Sequence, residues 1–271
     1  MRFTGRWPGR SGSRSDVVAR TVFLRGKEEI ESIRAAAELV ARTLVMLGRE
    51  VRPGVTTATL DRLAETFIRD HGGRPAFKGY RGFPASICSS INDEVVHGIP
   101  GPRSLVEGDI VGIDVGVEKD GYYGDSAITF PVGRVGDEAV RLLQVTREAL
   151  VRGVAQARAG NRVGDISHAI QSYVEENGFS VVRSLVGHGI GRQMHEEPQV
   201  PNYGSPDRGP RLMAGQVMAI EPMVNAGAPD VVTQPDGWTV VTKDGTLSAH
   251  FEHTVAVGSE GPEILSRSDE S

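Results

Sequence analysis

Two strand-like apolar segments of this chain each end in a carboxylate, and they lie one half-chain apart. The first is Val106–Asp114 (VEGDIVGID) and the second is Met213–Glu221 (MAGQVMAIE). A constant offset of about 107 positions puts Asp114 on Glu221 and Ile113 on Ile220. Each is followed by a further acid in strand-like sequence, Asp125 in Gly124-Asp125-Ser126 and Glu252 in Phe251-Glu252-His253. An isolated ionised carboxylate inside apolar β structure costs on the order of several kcal/mol, so such acids must be paired or bound to metal. The four acids therefore point to a metal site inside a duplicated fold.

The helical spacing repeats in the same way. Ile30, Ile33, Ala37, Val40, Leu44 and Leu47 predict a helix from Lys27 to Gly48. Leu60, Leu63, Ala64, Phe67 and Ile68 predict a second, stopped at Gly72-Gly73. In the other half, a helix is expected from about Asp137 to Ala157. Ile166, Ile170, Tyr173 and Val174 mark another that ends at Asn177-Gly178. An offset of about 106 places Gly54 on Gly160, Leu60 on Ile166, Phe67 on Tyr173 and Gly72 on Gly178. The expected plan is a duplicated α-α-β-β unit with the two sheets joined.

Asp114 and Asp125 flank the turn-forming run Glu118-Lys119-Asp120-Gly121. A hairpin centred between Lys119 and Asp120 would set the two acids directly opposite each other, with Cβ atoms about 5 Å apart. Bare carboxylates at that distance repel, and a divalent cation turns the repulsion into binding. If Glu221 and Glu252 come from equivalent strands, four acids surround one point, which suits two metals roughly 3.5–4 Å apart. His188 in Val186-Gly187-His188-Gly189, His195 in Met194-His195-Glu196-Glu197-Pro198 and His97 in Val96-His97-Gly98 are candidate partners. His250 and His253 flank Glu252 and could orient it. His71 and His168 are expected to be structural.

The formal net charge of -5 argues against nucleic acid as the main ligand. Cys88 is the only cysteine, so no intrachain disulfide forms, and a reducing, cytoplasmic setting is expected. No apolar run has the roughly 18 residues of a membrane helix. Residues 1–25 carry Arg2, Arg6, Arg10, Arg14, Arg20 and Arg25 against a single acid, Asp16, and are expected to be a disordered basic arm. Its expected role is as a solvated tail or in weak contact with an anionic surface such as ribosomal RNA. Residues 26–262 are expected to be one catalytic domain with halves of about 27–135 and 136–260, and 263–271 a flexible tail.

Taken with Ser90–Pro100 (SINDEVVHGIP), Ile113-Asp114-Val115-Gly116, Gly121–Asp125, Gly187–Gly191, His195–Pro198, Ile220-Glu221-Pro222 and Phe251–Thr254, the chain resembles the type I methionine aminopeptidases of the pita-bread metallopeptidase family. The matching stretches run from Lys27 to about Val257. The resemblance implies an α+β pita-bread fold, two pseudo-symmetric halves around a central antiparallel sheet. It implies two divalent ions per chain, Co, Mn, Fe or Zn, with Asp114 on the second metal, Asp125 and Glu252 bridging, and His188 and Glu221 completing the first metal's shell. His97 and His195 would contact substrate, and Glu221 would carry the proton to the leaving nitrogen. Phe77, Tyr80, Phe83, Cys88, Met194 and Trp238 would wall a methionine pocket. Phe77 and Met194 depart from the residues usual there, Cys and Phe, but stay apolar. The implied partners are nascent polypeptide N-termini, with no membrane and no specific nucleic acid, and a monomer is expected.

Within the same fold a proline-directed aminopeptidase is an alternative, though such enzymes are usually longer. A non-catalytic peptide-binding module is another, disfavoured because such relatives lose the ligands that Asp114, Asp125, His188, Glu221 and Glu252 represent here.

Overall fold

The computed structural model describes residues 22–267. The first half contributes α1 (Lys27–Glu50), α2 (Thr57–Asp70), β1 (Arg74–Pro75), β2 (Cys88–Ile91), β3 (Glu94–Val96), β4 (Ile110–Lys119) and β5 (Tyr122–Pro131). The second contributes α3 (Asp137–Ala155), α4 (Val163–Glu176), β6 (Ser180–Val181), β7 (Val186–Gly189), β8 (Glu196–Pro201) and β9 (Val217–Ile220). It ends with β10 (Met223–Asn225), β11 (Val231–Thr233), β12 (Val240–Thr242), β13 (Ser248–His250), β14 (His253–Val257) and β15 (Pro262–Ile264).

Each helix buries the apolar stripe that its spacing marks. On α1 these are Ile33, Ala37, Val40, Leu44 and Leu47; on α4, Ile166, Ile170 and Val174. Side chains close the helix starts: Thr56 takes the N–H of Thr59, and Asp165 takes that of Arg162. The helices cover sheets built from β4 with β1, β2 and β5 in one half, and β15-β14-β9-β7-β8 in the other. Smaller sheets, β13-β10-β6 and β11-β12-β3, complete the frame.

The duplication is visible atom by atom. Gly54 N–H donates to Leu105 O and Gly160 N–H to Leu212 O, at 2.8 and 2.9 Å. Thr56 bridges Ser104 as Arg162 bridges Arg211. Thr43 and Thr146 each return a hydroxyl to the carbonyl four residues back, both at 2.7 Å. Each half contributes most of one large apolar cluster, and a smaller cluster joins Ile33, Ala37 and Tyr122 to Ile190, Val217 and Ala256 across the halves. One large cluster includes Leu39, Leu60, Ile87 and Val115, the other Leu142, Ile166, Met218 and Val255.

Where the halves meet, β5 runs beside the β13–β14 segment. Thr254 accepts the N–H of Asp125 and donates to its carbonyl, at 3.0 and 2.7 Å. Ser126 donates to Glu252 O, and Thr129 binds both the N–H and the carbonyl of His250. Glu252 N–H reaches Ala127 O at 3.0 Å. Hydroxyls thus do much of the pairing at the seam that carries the acids.

The β4–β5 register corrects the sequence expectation. Asp125 faces Gly116, and Asp114 faces Ala127. The turn is Asp120-Gly121, with φ of 53° and 81°, one residue beyond the expected centre. An Asp-Gly pair with both φ positive is the favoured two-residue hairpin turn. Moving the centre by one residue shifts partners by two, so both acids keep the same face of the sheet.

Residues 1–21 of the expected arm and 268–271 of the expected tail lie outside the described residues. Val22–Arg25 is not a solvated tail: Val22 bridges Glu197, and Arg25 N–H donates to Gly215 O at 2.7 Å. At the other end, Leu265 and Ser266 are buried, and Ser266 Oγ lies 2.9 Å from His253 Nδ1.

Candidate metal centre and substrate cavity

A cavity of about 530 Å³ opens at the seam, and the expected ligands, substrate contacts and pocket wall all line it, whereas His253, expected to help orient Glu252, turns instead to Ser266 Oγ at 2.9 Å. Asp114 comes from β4 and Asp125 from β5. Glu221 directly follows β9, and Glu252 joins β13 to β14. His188 sits mid-sheet on β7, between Ala219 of β9 and Gln199 of β8. The glycines beside it permit this crowding. A Cβ on Gly187 would lie 2.4 Å from Ala219 O, and one on Gly189 would lie 2.3 Å from Glu197 O.

Donor atoms of Asp125, His188 and Glu252 lie within 4.8 Å of one another. His188 Nε2 is 3.6 Å from Glu221 Oε1 and 4.0 Å from Asp125 Oδ2. Burial raises the Asp114 pKa to about 7. Burial, reinforced by the neighbouring carboxylates, pushes Asp125, Glu221 and Glu252 well above the usual range.

These groups fit a cation. His188 Nδ1 lies 2.9 Å from Gly189 O, and a carbonyl can only accept, so Nδ1 carries the proton. Burial lowers the His188 pKa to about 4, so the ring is neutral and Nε2 presents a lone pair to the acids. The contacts to Asp125 and Glu221 are therefore not ion pairs. Asp114 Oδ1, Asp125 Oδ1 and Glu252 Oε1 are buried with no hydrogen-bond partner. Converging lone pairs without donors are what a divalent ion satisfies. A carboxylate-rich set with one imidazole accepts Mn, Fe, Co or Zn.

Above the acids, Phe77, Phe83, Cys88 and Met194 are buried together, with Tyr80 and Trp238 packed against them. Trp238 meets Phe83 edge-on at 5.1 Å between ring centroids and His97 at 6.5 Å. Cys88 pairs with Asp114 across β2 and β4, which ties the apolar wall to the acidic floor. Burial, then the Asp114 charge, pushes the Cys88 thiol well up, so it acts as wall rather than nucleophile. The His195 ring lies 4.2 Å from that of His188, and its Nδ1 is 3.0 Å from the Tyr80 hydroxyl. Burial lowers His97 to about 4. Burial and then His188 lower His195 to about 3, so both are neutral.

Two contributors go beyond the expected ligand and pocket residues: His250, expected only to orient Glu252, and Phe23, not expected at all. His250 Nε2, buried and unpartnered, lies 3.8 Å from Glu221 and 3.9 Å from Glu252. Its position two residues before Glu252 was the only sequence signal. Phe23 lines the cavity rim, and its signal was the apolar Val22-Phe23-Leu24 inside an arginine-rich stretch.

Comparison with known proteins agrees with this geometry. Residues 31–259 match the model of metallopeptidase family M24. The methionine aminopeptidase of Clostridium perfringens is 55% identical over 244 residues, 90% of this chain and 98% of that protein. Methionine aminopeptidase 1 of Bacillus subtilis is 52% identical over 246 residues, 91% of this chain and 99% of its own. The crystal structure of methionine aminopeptidase from Rickettsia prowazekii superposes with a TM-score of 0.90 at 45% identity, covering 91% of this chain and all of that one. The prolidase of Pyrococcus furiosus shares the fold alone, with a TM-score of 0.74 at 22% identity over 90% of this chain and 65% of that one. The common architecture is the α+β pita-bread fold, and the chain belongs to metallopeptidase family M24, among its type I methionine aminopeptidases.

Proposed function

We propose that this enzyme removes the N-terminal methionine from nascent proteins and peptides whose second residue is small, in the cytoplasm and as a monomer. The observation that carries the reading is one cavity with an acidic, donor-poor floor and an apolar wall of Phe77, Phe83, Cys88, Met194 and Trp238. Relatives at 52% and 55% identity carry the same name over nearly their whole length. Among the described residues no helix is long and apolar enough to cross a membrane.

Asp114, Asp125, His188, Glu221 and Glu252 would hold two divalent ions, Asp125 and Glu252 shared between them. Bound there, such ions supply an activated water at neutral pH and polarise a carbonyl. The wall takes the unbranched thioether side chain, whose soft sulfur suits aromatic and sulfur neighbours. Tyr80 Oη lies 3.0 Å from His195 Nδ1, and where the hydroxyl donates there, neutral His195 carries its proton on Nε2, free for the carbonyl oxygen of the scissile bond. His97, which stands beside Trp238, would meet the scissile nitrogen. Glu221 would carry the proton to the leaving amine.

The test is release of free methionine from Met-Ala-Ser after chelation, then after separate addition of Mn(II), Fe(II), Co(II) and Zn(II). Leu-Ala-Ser and Ala-Pro-Ser run alongside. Metal-dependent cleavage of the methionyl peptide alone is expected. Cleavage of the proline peptide would move the chain to the proline-directed branch, and inactivity with every metal would favour a binding module.

The proposed partners are nascent N-termini, with no specific nucleic acid. Weak ribosome contact through the basic arm concerns residues 1–25, of which 1–21 lie outside the described residues.

A further inference from the structure

Phe23 is a large apolar side chain, 42% exposed, at the rim of the substrate cavity. It belongs to none of the buried apolar clusters. Yet the backbone around it is firmly fixed. Val22 adds a parallel bridge to Glu197 on β8, and Arg25 N–H donates to Gly215 O. The Arg25 guanidinium makes two bonds to Glu196, at 2.7 and 2.6 Å, with both side chains almost fully buried. That same guanidinium lies 4.8 Å from the centre of the Phe23 ring. A buried cation against an aromatic ring holds the ring in place.

The position has a length scale. Val22 lies beside β8, and β8 lies beside the His188 strand β7. Neighbouring strands are about 4.8 Å apart, so Phe23 stands about 10 Å from the strand that carries His188. An extended peptide advances about 3.4 Å per residue. With the scissile bond over the acids and the peptide leaving through this rim, its third or fourth residue would reach the Phe23 ring.

We propose that Phe23 is a specificity-determining residue that contacts the third or fourth residue of the substrate and favours an apolar side chain there. The inference rests on the aminopeptidase reading above. Phe23 contributes to binding of the distal peptide and has no part in the chemical step, so its effect falls on KM.

The experiment compares Met-Ala-Leu-Leu amide, Met-Ala-Ser-Ser amide and Met-Ala amide with the metal-loaded wild type, Phe23→Ala and Phe23→Tyr. In the wild type KM is expected to be three- to ten-fold lower for the dileucyl than for the diseryl peptide. Phe23→Ala should erase that ratio with kcat unchanged, Phe23→Tyr should keep it, and Met-Ala amide should be cleaved equally by all three. An unchanged ratio in Phe23→Ala overturns the inference while leaving the activity intact. Failure of the wild type to cleave even Met-Ala amide removes the aminopeptidase reading, and this inference with it.

Discussion

Thr254 and Asp125 hold each other by their main chain and hydroxyl: the threonine oxygen takes the aspartate N–H at 3.0 Å and returns its proton to the aspartate carbonyl at 2.7 Å. The two residues belong to different halves, so this exchange sets one carboxylate against the other half's acids. Replacing Thr254 with Val keeps the shape and strands a buried N–H and a buried carbonyl. The expected loss is about 2–4 kcal/mol of stability for two buried unsatisfied groups, with weaker metal binding. Urea unfolding and titration calorimetry of T254V measure both. Equal stability would mean that the backbone seam holds without the hydroxyl.

Metal binding should release protons, and more of them at pH 6 than at pH 8.5. Asp114 titrates at about 7 without metal, and Asp125, Glu221 and Glu252 are also raised. Calorimetry in buffers of different ionisation enthalpy counts the protons. A release that does not vary with pH would contradict the raised values.

The metal-free protein should lose stability as pH rises from about 6.5 to 8. Groups with raised folded pKa bind extra protons when folded, so they stabilise at low pH and lose that contribution as pH passes the folded value. The buried histidines, lowered to about 3 or 4, oppose this only below their unfolded value of 6.5. Above 6.5 the carboxylates act alone. Urea midpoints in chelator should fall across that window and flatten when metal is in excess.

Cys88 should resist alkylation in the folded protein. Its thiol is buried and its pKa is pushed well up. Iodoacetamide at pH 8 should label it only after unfolding, as mass spectrometry would show. Fast labelling of the native enzyme would place the thiol in contact with solvent.

Substituting Gly121 with Ala should cost about 1–2 kcal/mol, because φ of 81° is unfavourable for a residue with a Cβ. The β4–β5 ladder should keep its register. Thermal unfolding gives the cost, and unchanged metal affinity would report the register.

Much of this was legible in the sequence because duplication doubles every signal. The four helices lie close to where their apolar spacing puts them, and the acids fall on β4 and β5 in one half and at the ends of β9 and β14 in the other. Asp120-Gly121 carried the turn signal, but the hairpin was centred one residue early. Only the hydrogen-bond ladder fixes whether Asp114 faces Asp125 or Ala127. The anchoring of Arg25 was hidden, since its partner Glu196 lies 171 positions away and no local pattern links them. His250 was weighed only as a neighbour of Glu252. That its Nε2 lies near Glu221 as well depends on how the two sheets close.

The acids sit on the seam between the two large apolar clusters, and the seam is held by hydroxyl bonds together with a smaller cluster that joins Ile33, Ala37 and Tyr122 to Ile190, Val217 and Ala256. Opening of the seam would therefore dismantle the site while both large clusters remain folded. Amide exchange at Asp125 and Glu252 should then report a smaller opening free energy than exchange in the helices, and the lifetime of the working enzyme follows from how long the seam stays closed.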